Sequence, residues 1–333
     1  MAPSNPVAQV AALGSAVATA PWRILNDLTA PSRAGLARNV RRSIGITEEP
    51  VPPSMDPEAA FLHPESVARL VHSDLPTMLV GGISALLLQT LHPLAMAGVA
   101  EHSNYQEDPL GRLRRTATFV GTTTFGTGEE VNRAVAQVRR VHRRVKGIAP
   151  DGRPYSAADP DLVTFIHAAE MSSFLESAKR YGPRVLTPEQ CDRYFDEVAP
   201  VALALGARWV PRSAQAMDHY FGRLRPELGA GAQARQARDW LRRGVGEKPE
   251  DRAVYALLLA AAIGILPRWA RRELALAAPA PLELLRDTVA VVPLTRALSA
   301  ALRWVVAAQA VGEVVSPPAA QVAMESPPSM PQI

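Results

Sequence analysis

The chain has 333 residues, 47% hydrophobic and 20% charged, enough apolar content for a sizeable buried core and too much for a wholly disordered protein. Its 36 cations against 32 anions leave a charge of +4, too modest to demand a nucleic-acid partner. A single cysteine, Cys191, excludes an internal disulfide framework and any cysteine-rich zinc or iron–sulfur site, and points to a cytoplasmic setting.

Residues 1–45 read as an N-terminal extension, helical in pieces and ending in the basic "RAGLARNVRRSIG". Its apolar start is not preceded by Lys or Arg, which argues against a secretory signal. Residues 46–310 form the main body, opening on the Pro-rich "EEPVPPSMDP". The body is helix after helix, and no segment alternates cleanly at period two. Residues 311–333, rich in Pro and Ser, are expected to be a disordered tail. The fold class is therefore all-α, a single large helical domain with an extension at one end and a tail at the other.

Two apolar runs raise the question of a membrane. "TMLVGGISALLLQTLHPLAMAGVA" is broken by Gln89, His92 and Pro93, and "AVYALLLAAAIGIL" falls short of the ~20 residues a span needs. Both are expected to be core helices, with peripheral membrane contact as a secondary expectation.

Helix starts are legible in the middle of the chain. Asp108-Pro109 and Asp159-Pro160 each pair an N-cap aspartate with a proline at the first helical position. "TGEE", Thr127 to Glu130, matches a capping box, and Gly147 is placed to stop the helix it opens. That helix carries "QVRRVHRRVKG". On a helical wheel, Val131, Ala134, Val135, Val138, Val141 and Val145 share an arc of roughly 120° with His142. Arg140 and Arg144 lie opposite, so the cations form a wet face and not a nucleic-acid patch. An imidazole on that stripe is either a hydrogen-bonded core residue or the single neutral ligand that a five-coordinate haem iron takes from an apolar wall.

On the preceding helix, Arg112, Arg115 and Thr116 share one face at i, i+3 and i+4, beside an apolar face of Leu110, Leu113, Ala117 and Val120. Two guanidiniums and a hydroxyl there can hold propionates, polarise bound oxygen or form surface ion pairs. His167 and Glu170 make a His-x-x-Glu on a later apolar helix; no second unit completes a di-iron site, so a structural or supporting role is expected.

In order, "LHPLAMAGVAEHSNYQEDPLGRLRRTATFVGTTTFGTGEE" and "VRRVHRRVKGIAPDGRPYSAADPDLVTFIHAAEMSSFL" resemble the catalytic domain shared by bacterial rubber oxygenases (latex-clearing proteins) and the MpaB-type oxygenase of mycophenolic acid biosynthesis, over roughly residues 60–245. The resemblance implies helices packed, globin-like, around haem b. It also implies His142 as the iron ligand, and Arg112 and Thr116 beside the haem. Val138, Val145 and His167 would complete the cofactor's surroundings. The implied reaction is oxidation or cleavage of a small apolar, isoprenoid- or alkene-like substrate with dioxygen. In rubber oxygenases a lysine precedes the Thr; here it is Arg115, which stays charged and does not coordinate metal. Arg115 would instead donate hydrogen bonds to bound oxygen or hold an anionic substrate group. Peroxide-driven oxidation, and non-catalytic carriage of haem or an apolar ligand, remain open alternatives.

Overall fold

The structure, a computed structural model, describes residues 53–103, 105–244 and 249–315. The expected N-terminal extension and all but the first residues of the expected tail lie outside them. By backbone contacts, the described residues up to 303 belong to one compact unit and residues 304–315 to another.

The larger unit is all-helical apart from one hairpin. Its helices run α1 (Val67–His72), α2 (Leu75–Gln89), α3 (Pro93–His102), α4 (Pro109–Phe125) and α5 (Gly128–His142). After a two-stranded hairpin come α6 (Pro160–Tyr181), α7 (Pro188–Leu205), α8 (Ala214–Leu224), α9 (Ala232–Arg243) and α10 (Pro249–Ile265). Then follow α11 (Arg268–Glu273), α12 (Ala280–Arg286), a π-helical turn (Asp287–Val291) and α13 (Val292–Val315), which runs past residue 310 where the tail was expected to begin.

The capping chemistry operates as the sequence indicates. The Asp108 carboxylate accepts from the Gly111 amide and the Asp159 carboxylate from the Asp161 amide. Thr127 and Glu130 exchange both bonds of a capping box. Thr187 and Gln190 do the same for α7, a signal the sequence reading passed over.

The core is built on α2 against α6, with α10 packed on both. Gly81 permits the close approach: a Cβ there would stand 2.8 Å from Phe174 Cδ1. Around this pair Leu87, Leu88, Leu91, Phe165, Leu175 and Tyr194 are buried in one cluster. Both apolar runs are thus core helices. Among the described residues no single helix is long and apolar enough to cross a membrane; α2 and α3 together pass by length and composition, but are bent by 106°.

One expectation is corrected by the hairpin. Strands β1 (Lys146–Ile148) and β2 (Pro154–Ser156) pair antiparallel, so the helix ends at His142 and not at Gly147. Gly147 has a different use. Paired with Tyr155, it carries no side chain because a Cβ would lie 2.7 Å from the Tyr155 hydroxyl and 2.8 Å from Glu101 Oε2. That hydroxyl donates to the Glu101 carboxylate, tying the hairpin to the end of α3.

Candidate functional site

The link between α4 and α5 is two residues long and the helices pack together. Arg112 lies near the start of α4 and His142 at the end of α5, each about four turns from that link. Val131 and Val135 anchor α5 in the protein, and Ala134 and Val138 are half-buried. The apolar stripe is narrower than the wheel indicates: Val141, at the edge of the arc, is 54% exposed. Val145, beyond the helix end, packs with Ala97, Ala149 and Tyr155 at the hairpin.

His142 is half-buried, and its Nδ1 is buried with no hydrogen-bond partner. Burial lowers its pKa, so the ring is neutral at pH 7 with a lone pair unspent. A buried polar atom without a partner is costly unless something outside the protein chain takes it. The donor chemistry fits a metal-ligating imidazole.

Arg112 is half-buried, its guanidinium 6.0 Å from the centre of the Tyr105 ring. Its pKa is lowered, chiefly by desolvation and further by Arg115, while Tyr105 pulls the other way. Arg115 lies elsewhere. Its side chain is 63% exposed and ion-paired at 3.3 Å with Asp108, the N-cap of its own helix. This is a screened surface pair, not the low-dielectric setting that polarising bound oxygen requires. Thr116 is exposed as well. Arg115 and Thr116 are thus on the wet side of α4, Arg112 and His142 are half-buried, and none of the four lines either of the two described cavities.

Around Thr124, at the far end of α4 from Arg112, lies a polar cluster of which the sequence pointed only to His167, buried, and Glu170, half-buried. His72 is bonded on both nitrogens, Nδ1 to Thr124 Oγ1 at 2.7 Å and Nε2 to the Tyr194 hydroxyl at 2.9 Å. The Tyr194 hydroxyl also lies 3.5 Å from Met171 Sδ. Burial, then His167, pushes the His72 pKa down to about 3. His167, which the resemblance places near the cofactor, is buried with its pKa near 4 and has His72 as its electrostatic neighbour. Burial pushes the Glu170 carboxyl up to about 7, and Tyr194 is pushed up by its own burial and then by Glu170. His92 is also buried, its Nδ1 without a partner and its ring 4.9 Å from Phe165. His102 is exposed, with its ring 6.1 Å from Tyr155. Among the described residues no group of three His, Cys, Asp or Glu side chains is arranged to hold a metal ion.

An all-α core with a buried, unpartnered imidazole nitrogen on one helix and a half-desolvated guanidinium on the helix before it describes a class of protein: a helical scaffold that holds polar groups in apolar surroundings. A family model described as the catalytic domain of the ER-bound oxygenase MpaB/B′ and rubber oxygenase matches residues 69–306, and the chain belongs to that family. It is accordingly an oxygenase-type oxidoreductase. No curated protein and no solved structure matches it.

Proposed function

We propose that the chain is a haem b-dependent oxygenase acting on a small apolar, alkene-like substrate with dioxygen. The observation that supports this reading is the buried, unpartnered Nδ1 of His142, the residue that the sequence resemblance implies as the iron ligand. When bound, haem b supplies the electron chemistry of dioxygen activation. The chain supplies the rest. His142 offers a neutral imidazole, kept so by desolvation. Arg112, half-buried over Tyr105, holds an anionic edge such as a propionate. Thr116 adds a hydroxyl one turn on, and Val138 and Val145 give the apolar wall. Arg115 takes part in oxygen chemistry only by leaving Asp108, so its first role in this reading is to close the start of α4. His167 belongs to the buried cluster around His72 and Thr124.

The test is the ultraviolet–visible spectrum of the purified chain, before and after dithionite. A Soret band is expected in the wild type and its near-complete loss in His142→Ala, with the far-ultraviolet circular dichroism unchanged. A variant that keeps full haem occupancy overturns the ligand assignment. Turnover of alkene probes with dioxygen, and none with peroxide, is the second expected result.

A further inference from the structure

The helical ridge formed by α12, the π turn and the start of α13 has its polarity reversed. Facing the protein, at every fourth position, are Glu283, Asp287, Val291, Thr295 and Ser299, all buried. Facing away are Leu282, Leu284, Leu285, Val289 and Leu294, between 56% and 69% exposed. The inward acids are neutralised inside: Asp287 by Arg180 and Arg286, each at 3.0 Å, and Glu283 by Arg271 at 3.4 Å and by the Ala278 amide at 2.9 Å. A surface helix of a water-soluble fold shows the opposite arrangement.

Beside the start of this ridge is a cavity of about 190 Å³, lined by Arg268, Arg271, Arg272 and Glu283 among the alanines of the 277–280 loop. Three guanidiniums face one carboxylate there. Arg271 is only 7% exposed, and its Nε is buried with no partner. Arg268 and Arg272 are exposed, and neither is in an ion pair among the described residues. A buried, unsatisfied guanidinium N–H with two free cations at the rim is the donor set for a phosphate oxygen.

From the cavity and the ridge together we infer that this face docks on a membrane carrying anionic lipids. The arginine cavity takes a lipid phosphate and the outward leucines enter the acyl boundary. Charge decides against a second copy of the chain as the occupant. The ionisable side chains reaching solvent on the ridge, Arg286 and Arg296, are both cations, and Arg286 shares its one carboxylate, Asp287, with Arg180, so a copy would set like charges against each other. The inference is independent of haem and of the oxygenase reading.

The test uses the full chain in flotation with vesicles of phosphatidylcholine alone, and of phosphatidylcholine with about a third phosphatidylglycerol. Binding is expected to the anionic vesicles only. Arg268→Ala/Arg272→Ala and Leu285→Ser/Val289→Ser should each lower it about tenfold or more, at unchanged circular dichroism and melting temperature. All four side chains are exposed, so folding is spared. Wild-type chain that stays with the soluble fraction, or variants that bind as well as wild type, overturn the proposal. So does a rise in melting temperature with inorganic phosphate that has no vesicle counterpart, which would make the cavity a free-anion site. Loss of a dimer in light scattering of the Leu285→Ser/Val289→Ser chain, without vesicle binding, would make the ridge an interface between copies and also refute it.

Discussion

His72 and His142 are both neutral imidazoles among apolar residues, and they are in opposite situations. His72 has both nitrogens spent, on Thr124 and Tyr194, in the middle of the core. His142 has a buried Nδ1 that nothing in the described chain satisfies. A saturated imidazole stabilises a fold; an unsaturated one is available to a ligand and contributes little to the fold without it. The comparison makes its strongest prediction in stability. His72→Ala removes a packed ring and leaves the Thr124 and Tyr194 hydroxyls unpartnered, and should cost about 3–4 kcal/mol. His142→Ala in haem-free protein should stay within about 0.5 kcal/mol of wild type. Urea unfolding of both variants measures the difference; equal losses would erase the distinction between them.

The next effect is on pH. His72 and His167 have pKa values near 3 and 4, below the usual 6.5. Between those limits the unfolded chain binds protons that the folded core refuses, so their contribution is intact above about 6.5 and is lost as the pH falls toward 3–4. Glu170 acts in the other direction. Its folded carboxyl keeps a proton up to about pH 7 against the usual 4.5, so it favours the fold in acid and burdens it as the pH rises through that window. Two imidazoles outweigh one carboxyl, and net stability should fall on acidification below 6.5. Glu170→Gln, which cannot ionise, should be more stable than wild type at pH 8, on the order of 1–3 kcal/mol, and equal to it below about pH 4.5. Equal stability at pH 8 would show that the carboxyl is well solvated.

The difference between the two histidines also marks what a sequence discloses. Caps are local, so Asp108, Thr127, Glu130 and Asp159 could be read as helix starts directly. His142 was legible because helical periodicity aligns it with Val131 and Val135 on its own helix. His72 was not, because its partners stand 52 and 122 residues away and no local pattern announces them. Arg115 was assigned to the site by its spacing from Arg112. Spacing does not reveal that Asp108, seven residues earlier, reaches back to claim the guanidinium. Gly147 looked like a helix stop; the reason for its missing side chain is Tyr155, across a hairpin that is too short to show alternation.

The smallest effect tests how far the apolar wall beside His142 extends. Val135 and Val141 stand at the two edges of the apolar arc, about 120° apart on the helical wheel, and Val135 is buried while Val141 is 54% exposed. Removing two methyl groups from a packed position leaves a cavity, and from an open one leaves only water. Val135→Ala should therefore cost about 1–2 kcal/mol and Val141→Ala less than about 0.5. The same pair bears on the cofactor. With haem bound, a Val141→Ala chain that loses stability which the haem-free chain does not would mean that the bound group covers this side chain. If the small loss is the same in both forms, the wall ends at Val138 and the site stays open at the end of α5.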